Sequence, residues 1–345
     1  MNAAPGTLTP RALQDWQEQL RDAIRSPAEL AAAIAIPEHA LPFAAAADRE
    51  FPLLVPRAFA ARMRPGDPED PLLKQVLATA QELDEVAGYG PDPVGELALD
   101  TRTEGVLQKY GGRALLVATG HCAVNCRYCF RRHFPYADGA MSQRERLRRV
   151  AEIADDPDVS ELILSGGDPL VLGDTQLAEL TAVAAAAGSL RTLRVHTRLP
   201  VVIPDRVTRG LLDALCRDGL RTVVVLHANH GREIDAGTAA AIARMVAAGI
   251  TVLNQAVLLA GINDSPEVLA QLSDALFEAG ALPYYLHMLD PVAGAAHFAV
   301  SEGRARRIVG ELAALRPGYL VPKLAVEVAG AASKRELAPD YGDRG

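Results

Sequence analysis

The chain has 345 residues, 49% of them apolar, enough for one large α/β domain with an extension or for two small domains. Lysine and arginine number 35 against 43 aspartates and glutamates, a net charge of −8 that disfavours nonspecific contact with nucleic acid or anionic membrane and favours a small-molecule substrate. The opening MNAAPGTLTPRALQDW has no basic segment leading into an apolar one, and no run approaches the roughly 18 apolar residues of a membrane span, so the expectation is a cytoplasmic protein.

Residues 1–105 read as a helical arm. Thr9-Pro10 is a cap followed by a first-turn proline, Ser26-Pro27-Ala28-Glu29 has the form of a capping box, and the Pro/Gly-rich stretches 64–71 and 88–95 interrupt the helices. From about residue 113 short apolar runs alternate with longer amphipathic stretches. Strands are expected at 113–118, 161–164, 192–195, 221–226, 251–253 and 282–286, with helices at 143–153, 174–187, 205–218, 236–248 and 266–279. Six β/α repeats imply a parallel sheet that curls into a partial (β/α)6 barrel, with a core over 106–300 and a C-terminal segment over 301–345. No glycine fingerprint for a dinucleotide or a P-loop follows any strand.

Polar residues come immediately after every strand: His121 with three cysteines, Ser165-Gly166-Gly167-Asp168, His196-Thr197-Arg198, His227 and Asn229, Asn254-Gln255, then His287 and Asp290. Such a recurrence would line the mouth at the carboxyl ends of the strands, where barrels of this kind place their active sites. The Ser165-Gly166-Gly167-Asp168 turn has no side-chain bulk at its centre, so its backbone could approach a ligand closely.

Three of the four cysteines, Cys122, Cys126 and Cys129, lie within eight residues on the loop after the first strand. Their number and crowding argue against a disulfide framework and for a metal centre in a reducing compartment. Three thiolates can hold three irons of a cubane and leave the fourth open; spacing alone leaves room for a tetrahedral zinc completed by His121 or His133. Cys216, on a helical pattern, reads as an ordinary buried thiol.

The three-then-two cysteine spacing, with an aromatic residue before the last, resembles the signature of the radical S-adenosylmethionine (SAM) superfamily. Within it the chain is similar to the lysine 2,3-aminomutases from about Phe51 to Lys334, through CRYCFRR (126–132), SGGDPL (165–170), HTRLPVVIP (196–204), NQAVLLAGIND (254–264), PYYLHMLD (283–290) and VPKLAVEVAGAASK (321–334). The short form, with FPLLVPRAFAARM (51–63), most resembles the bacterial branch that makes (R)-β-lysine for modification of elongation factor P.

That resemblance implies an isomerase with three cofactors. Cys122, Cys126 and Cys129 would hold a [4Fe–4S] cluster. Ser165, Gly166, Gly167, Asp168, Thr197, Arg198, His227 and Gln255 would contact SAM. Lys334, which composition alone reads as an exposed lysine near the C-terminus, falls where the family forms its Schiff base with pyridoxal 5′-phosphate (PLP), and Lys109 and Arg113 match positions that bind the PLP phosphate. L-lysine would meet Arg131 at its carboxylate and Asp290 and Glu327 at its side-chain ammonium. A deoxyadenosyl radical would then take hydrogen from C3, nitrogen would move from C2 to C3, and SAM would be regenerated. The resemblance further implies an electron donor of the flavodoxin or ferredoxin type and a link to an elongation factor P lysyl ligase. Ser265 stands where longer relatives carry a zinc-binding cysteine, so no zinc is expected. Arginine or glutamate aminomutation and a radical SAM reaction without PLP are the competing activities, and the acids Asp290 and Glu327 argue against glutamate.

Overall fold

The computed structural model describes residues 15–96, 105–136 and 141–342; the expected Thr9-Pro10 cap lies outside them. Nine strands form one sheet in chain order: β1 (Val106–Leu107), β2 (Arg113–Thr119), β3 (Glu161–Gly166), β4 (Thr192–Thr197), β5 (Arg221–His227), β6 (Thr251–Val257), β7 (Leu282–His287), β8 (Lys323–Val326) and β9 (Arg335–Glu336). β2 to β8 pair in parallel, and β1 and β9 run antiparallel at the two edges. Helices Gln143–Ala154, Asp174–Ala186, Arg209–Leu215, Ala236–Ala247, Pro266–Ala279 and Glu302–Leu315 follow β2 to β7 in turn, giving the six β/α units of the expected partial barrel.

All six expected strands form, and each continues past its apolar run. Ser165, His196, His227, Gln255 and His287 are polar, yet their backbones still pair in or extend the ladder, so a strand outlasts its hydrophobic pattern. The expected helix 205–218 is shorter: Pro204–Arg206 makes a 3-10 turn, and the helix runs only over Arg209–Leu215, capped by Thr208, whose side chain accepts from Leu211 N. β1, β8 and β9 are not among the expected strands, because two, four and two residues carry too little alternation to register.

Successive side chains on a strand point to opposite faces, and that alternation divides the molecule. Leu162, Leu164, Leu193, Val195, Val224, Leu226 and Val252 point outward under the helices and join one continuous core that reaches from Trp16 to Leu324. Ile163, Ser165, Arg194, His196, His227, Gln255, Val257, Tyr285 and His287 point inward around a cavity.

The arm contributes helices Trp16–Arg21, Pro27–Ala33, Ala45–Glu50, Arg57–Ala60 and Pro71–Lys74. Ser26 caps the second of them, accepting from Glu29 N at 3.1 Å. Further along, the arm grips the cysteine loop: Asn125 N donates to Leu54 O, Arg127 N donates to Gln75 O, and Glu82 accepts from both Arg127 Nε (2.8 Å) and Arg132 Nη2 (2.8 Å). Arg127 is fully buried. The residue between the second and third cysteines is therefore an anchor that binds the loop to the arm. Cys216 is half-buried at the end of Arg209–Leu215 rather than fully enclosed, and Ser265 caps Pro266–Ala279. Among the described residues no helix is long and apolar enough to cross a membrane.

Candidate active site

Every residue assigned a role from the sequence lines one cavity of about 500 Å³: the three cysteines, Ser165 to Asp168, Thr197, Arg198, His227, Gln255, Lys109, Arg113, Arg131, Asp290, Glu327 and Lys334. The strand ends and the cysteine loop supply most of them, while the β1–β2 connection, the start of β2 and the segment after β8 supply the rest.

The cysteine loop is moulded against the end of β3. Gly167 N donates to Thr119 O at 2.7 Å and Asp168 N to His121 O at 2.8 Å. A Cβ on Gly167 would lie 2.4 Å from His121 O, and one on Gly166, whose φ is +116°, would lie 2.5 Å from Thr119 O. The missing bulk thus serves first to let two backbones touch, a closer reason for the glycines than approach to a ligand. Asp168 is likewise turned into the protein: it accepts from Thr197 Oγ1 and Leu170 N on one oxygen and from Arg198 N and Leu199 N on the other. The side chains of Asp168 and Thr197 tie the end of β3 to the end of β4.

The cysteines face this cavity as half-buried thiols. Burial, then the charges of Cys129, Asp168 and Cys126, hold the Cys122 thiol well above its ordinary value; burial and then Cys126 push Cys129 up to about 11. Thiolates so placed call for a positive centre among them, which an iron cluster provides. Among the described residues no three His, Cys, Asp or Glu side chains gather closely enough to hold one ion. Arg198 extends Nη1 to Cys126 Sγ at 2.8 Å and Nη2 to Gln75 Oε1 (2.7 Å) and Glu233 Oε2 (2.9 Å), so its guanidinium borders the thiols directly.

His196, His227 and Gln255 stand side by side on β4, β5 and β6. Burial is the main reason that both rings favour the neutral form, His227 falling to about 4 and His196 well below its ordinary value. His196 Nδ1 lies 3.3 Å from Gln255 Nε2, while its Nε2 is buried without a partner. Not all the polar strand ends face the cavity. Asn254 exchanges two hydrogen bonds with the backbone of Ala228, and Asn229 is held by Gln75, Glu233 and Val257; both staple neighbouring strands from outside. His121 is exposed at the rim beside Thr119.

A chain of alternating charge begins beside the cysteines, at Arg131, and ends at Lys334. Arg131 binds Glu96 through Nε (2.7 Å) and Nη2 (2.9 Å) and reaches Ser165 Oγ and Gly166 O with Nη1. Glu96 also meets Lys109 at 3.1 Å; Lys109 lies 3.7 Å from Glu327, which accepts from Tyr110 (2.6 Å) and Lys334 (2.5 Å). Burial opposes the charges on Glu96 and Glu327, but their cationic partners outweigh it and hold both carboxyls below the usual range. Asp290 is the exception. Burial pushes it up to about 7, against the pull of Lys334 and with the repulsion of Glu327. Arg113 lies over the Tyr110 ring at 4.7 Å, has no acidic partner among the described residues, and keeps Nε buried without an acceptor. An orphaned guanidinium beside a lysine amine is a fit for an anionic group such as a phosphate.

Glu96 and Tyr110 escaped the sequence reading. Glu96 ends a Pro/Gly-rich stretch and Tyr110 precedes a strand, and neither position carries a periodic or motif signal. Only the three-dimensional pairing with Arg131 and Glu327 marks them.

A barrel of this topology with a cysteine loop after its first parallel strand defines a radical SAM enzyme, and the Radical SAM superfamily model matches residues 116–272. Relatives extend the match over nearly the whole chain. It is 46% identical over 332 residues to the L-lysine 2,3-aminomutase of Escherichia coli (strain K12), covering 96% of each chain, and 44% identical over 324 residues to that of Haemophilus influenzae, covering 94% of this chain and 96% of the other. The Clostridium subterminale enzyme of the same name is 30% identical over 328 residues, 95% of this chain and 78% of that one. The chain belongs to the lysine 2,3-aminomutase family of radical SAM isomerases. That membership brings a [4Fe–4S] cluster and SAM with it.

Proposed function

We propose that this protein is a PLP-dependent L-lysine 2,3-aminomutase that makes (R)-β-lysine. The observation that carries the reading is the opening of Lys334 into the same cavity as the three cysteines, a cavity also lined by Arg113, whose Nε has no acceptor, and by Asp290, whose carboxyl burial pushes up to about 7. In this reading residues 1–105 are an arm, 106–300 the barrel and 301–345 the segment that carries Lys334.

Each role follows from what the side chains can do. Cys122, Cys126 and Cys129 hold the cluster, and Arg198 sets the electrostatic environment of one thiolate. Ser165, Gly166, Gly167, His227 and Gln255 would contact SAM, and Asp168, Thr197 and Arg198 keep that wall of the cavity in place. The cluster and SAM supply a carbon radical when bound, and PLP supplies an electron sink that lets nitrogen migrate. Lys334 is the amine for PLP, with Arg113 and Lys109 near its phosphate. Arg131, held on one edge by Glu96 and through Nη1 by Ser165 and Gly166, would meet the substrate carboxylate as a fixed cation of the cavity wall. Glu327 already holds Lys334, so Asp290 is the acid free to take the substrate ammonium. Two acids at that end favour lysine over glutamate. Tyr110 bridges the β1–β2 connection to the end of β8, which closes the gap in the barrel and keeps water from the reacting centre.

The elongation factor P role, a flavodoxin- or ferredoxin-type donor and a cytoplasmic setting follow from the resemblance of the short form to the β-lysine-making branch. The test is anaerobic incubation of the reconstituted protein with L-lysine, SAM and reductant, then chiral analysis. (R)-β-Lysine is the expected product. Turnover of L-arginine in its place, or no β-amino acid at all, refutes the assignment.

A further inference from the structure

The residues after Lys334 cross the outside of the barrel as a strap. Arg335 and Glu336 pair with Val326 and Ala325 of β8, and Leu337 N donates to Leu324 O at 2.9 Å. The Leu337 side chain packs on the main core, and Lys323 meets Glu336 at 2.7 Å. Beyond that point the strap leaves the sheet and lies along helix Glu302–Leu315: Arg306 Nε donates to Ala338 O (2.8 Å), and Asp340 N to Arg306 O (2.9 Å).

Gly310 makes this crossing possible. It is buried in the interior of that helix, where glycine is the poorest helix former after proline. A Cβ there would lie 1.8 Å from Asp340 O and 2.6 Å from its carbonyl carbon, so no side chain is compatible with the strap where it lies. The cost of a mid-helix glycine is offset only by this contact.

The strap bears on the site through chain connectivity. Residues 327–334 form a loop between β8 and β9, and Lys334 is the last residue before β9. Its amine touches Glu327 and lies 5.9 Å from the Tyr285 ring. We propose that Gly310 and the strap it admits are the positioning device for Lys334, fixing how far its amine reaches into the cavity. The inference rests on the reading of Lys334 as the PLP lysine.

The test compares the reconstituted wild-type chain with Gly310→Val and Arg306→Ala, the latter an exposed residue whose loss removes one strap contact. Each is titrated with pyridoxal phosphate, reduced with borohydride and mapped for label at Lys334, with iron per chain and SAM binding measured alongside. Gly310→Val should weaken fixation at Lys334 about tenfold and Arg306→Ala about threefold, a displaced amine costing binding energy of that order. Iron content and SAM binding should stay within about twofold. Hydrogen exchange at the Leu337 and Asp340 amides should quicken in both variants before any pyridoxal phosphate is added. Wild-type label at Lys334 with both variants unchanged overturns the proposal, as does a parallel loss of iron and SAM binding. If Gly310→Val does not fold, Arg306→Ala decides. A wild-type chain with no label at Lys334 overturns the PLP reading itself, and the proposal with it.

Discussion

Asp290 is held in a state that disfavours its charge, and replacing it by Asn should reveal by how much. Burial raises its carboxyl from 3.8 to about 7; Glu327 and Glu96 add to the rise, and Lys334 and Lys109 reduce it. Between those two values the folded protein keeps a proton that the unfolded chain has released, so stability falls as pH rises through the window and the full penalty is present above about pH 7. A shift of about 3 units corresponds to an upper bound of roughly 4 kcal/mol, and water entering the cavity reduces that to about 2. Asp290→Asn removes the penalty without changing shape, so the cluster-loaded variant should melt roughly 3 °C higher at pH 8.5 and about half as much higher at pH 5.5, midway through the window. Anaerobic calorimetry at the two pH values reads the difference. Lysine affinity should move the other way, with KM for lysine about tenfold or more above wild type and SAM binding unchanged, because the penalty is what makes the acid receptive to an ammonium. An Asn variant that gains nothing at pH 8.5, or gains equally at pH 5.5, would refute the reasoning.

The remaining predictions concern the cysteine loop and the cofactor lysine. Glu82→Ala leaves Arg127 and Arg132 buried without their shared acid and should destabilise by about 3–5 kcal/mol, seen as a lower melting temperature together with poorer iron retention. Gly167→Ala forces a methyl group against the His121 carbonyl; its expected signature is low iron per chain with the barrel still folded by circular dichroism. Cys126→Ala should abolish cluster binding in iron assays and visible absorbance. Lys334→Ala should keep the cluster band and lose borohydride-fixed PLP; retention of a fixed adduct would remove Lys334 from its role.

What the sequence revealed and what it hid divide along a physical line. The six strands and the cysteine loop announced themselves because apolar runs and a three-two spacing are local, and inward residues such as His227 and Gln255 followed from strand ends. Asn254 lies at a strand end too, yet faces outward, because alternation is set by pairing register, which apolar runs do not disclose where a strand continues into polar residues. Asn229 lies past the end of β5, where alternation no longer applies and Gln75, Glu233 and Val257 hold it. Glu96 and Tyr110 were invisible for the complementary reason: each acts through a partner far along the chain, Arg131 or Glu327. Such pairings also alter the meaning of residues that were found. Arg131, Glu327 and Lys334 look from the sequence like free groups waiting for ligands, but Glu96 neutralises one and the other two neutralise each other. Arg113 and Asp290 are the groups left with charge to spend or withhold, one an unpaired cation and one a carboxyl near neutrality. An amino acid joined to a phosphate-bearing cofactor presents the complementary charges, an anion and an ammonium, so the two residues the fold leaves unsatisfied are the ones best placed to bind it.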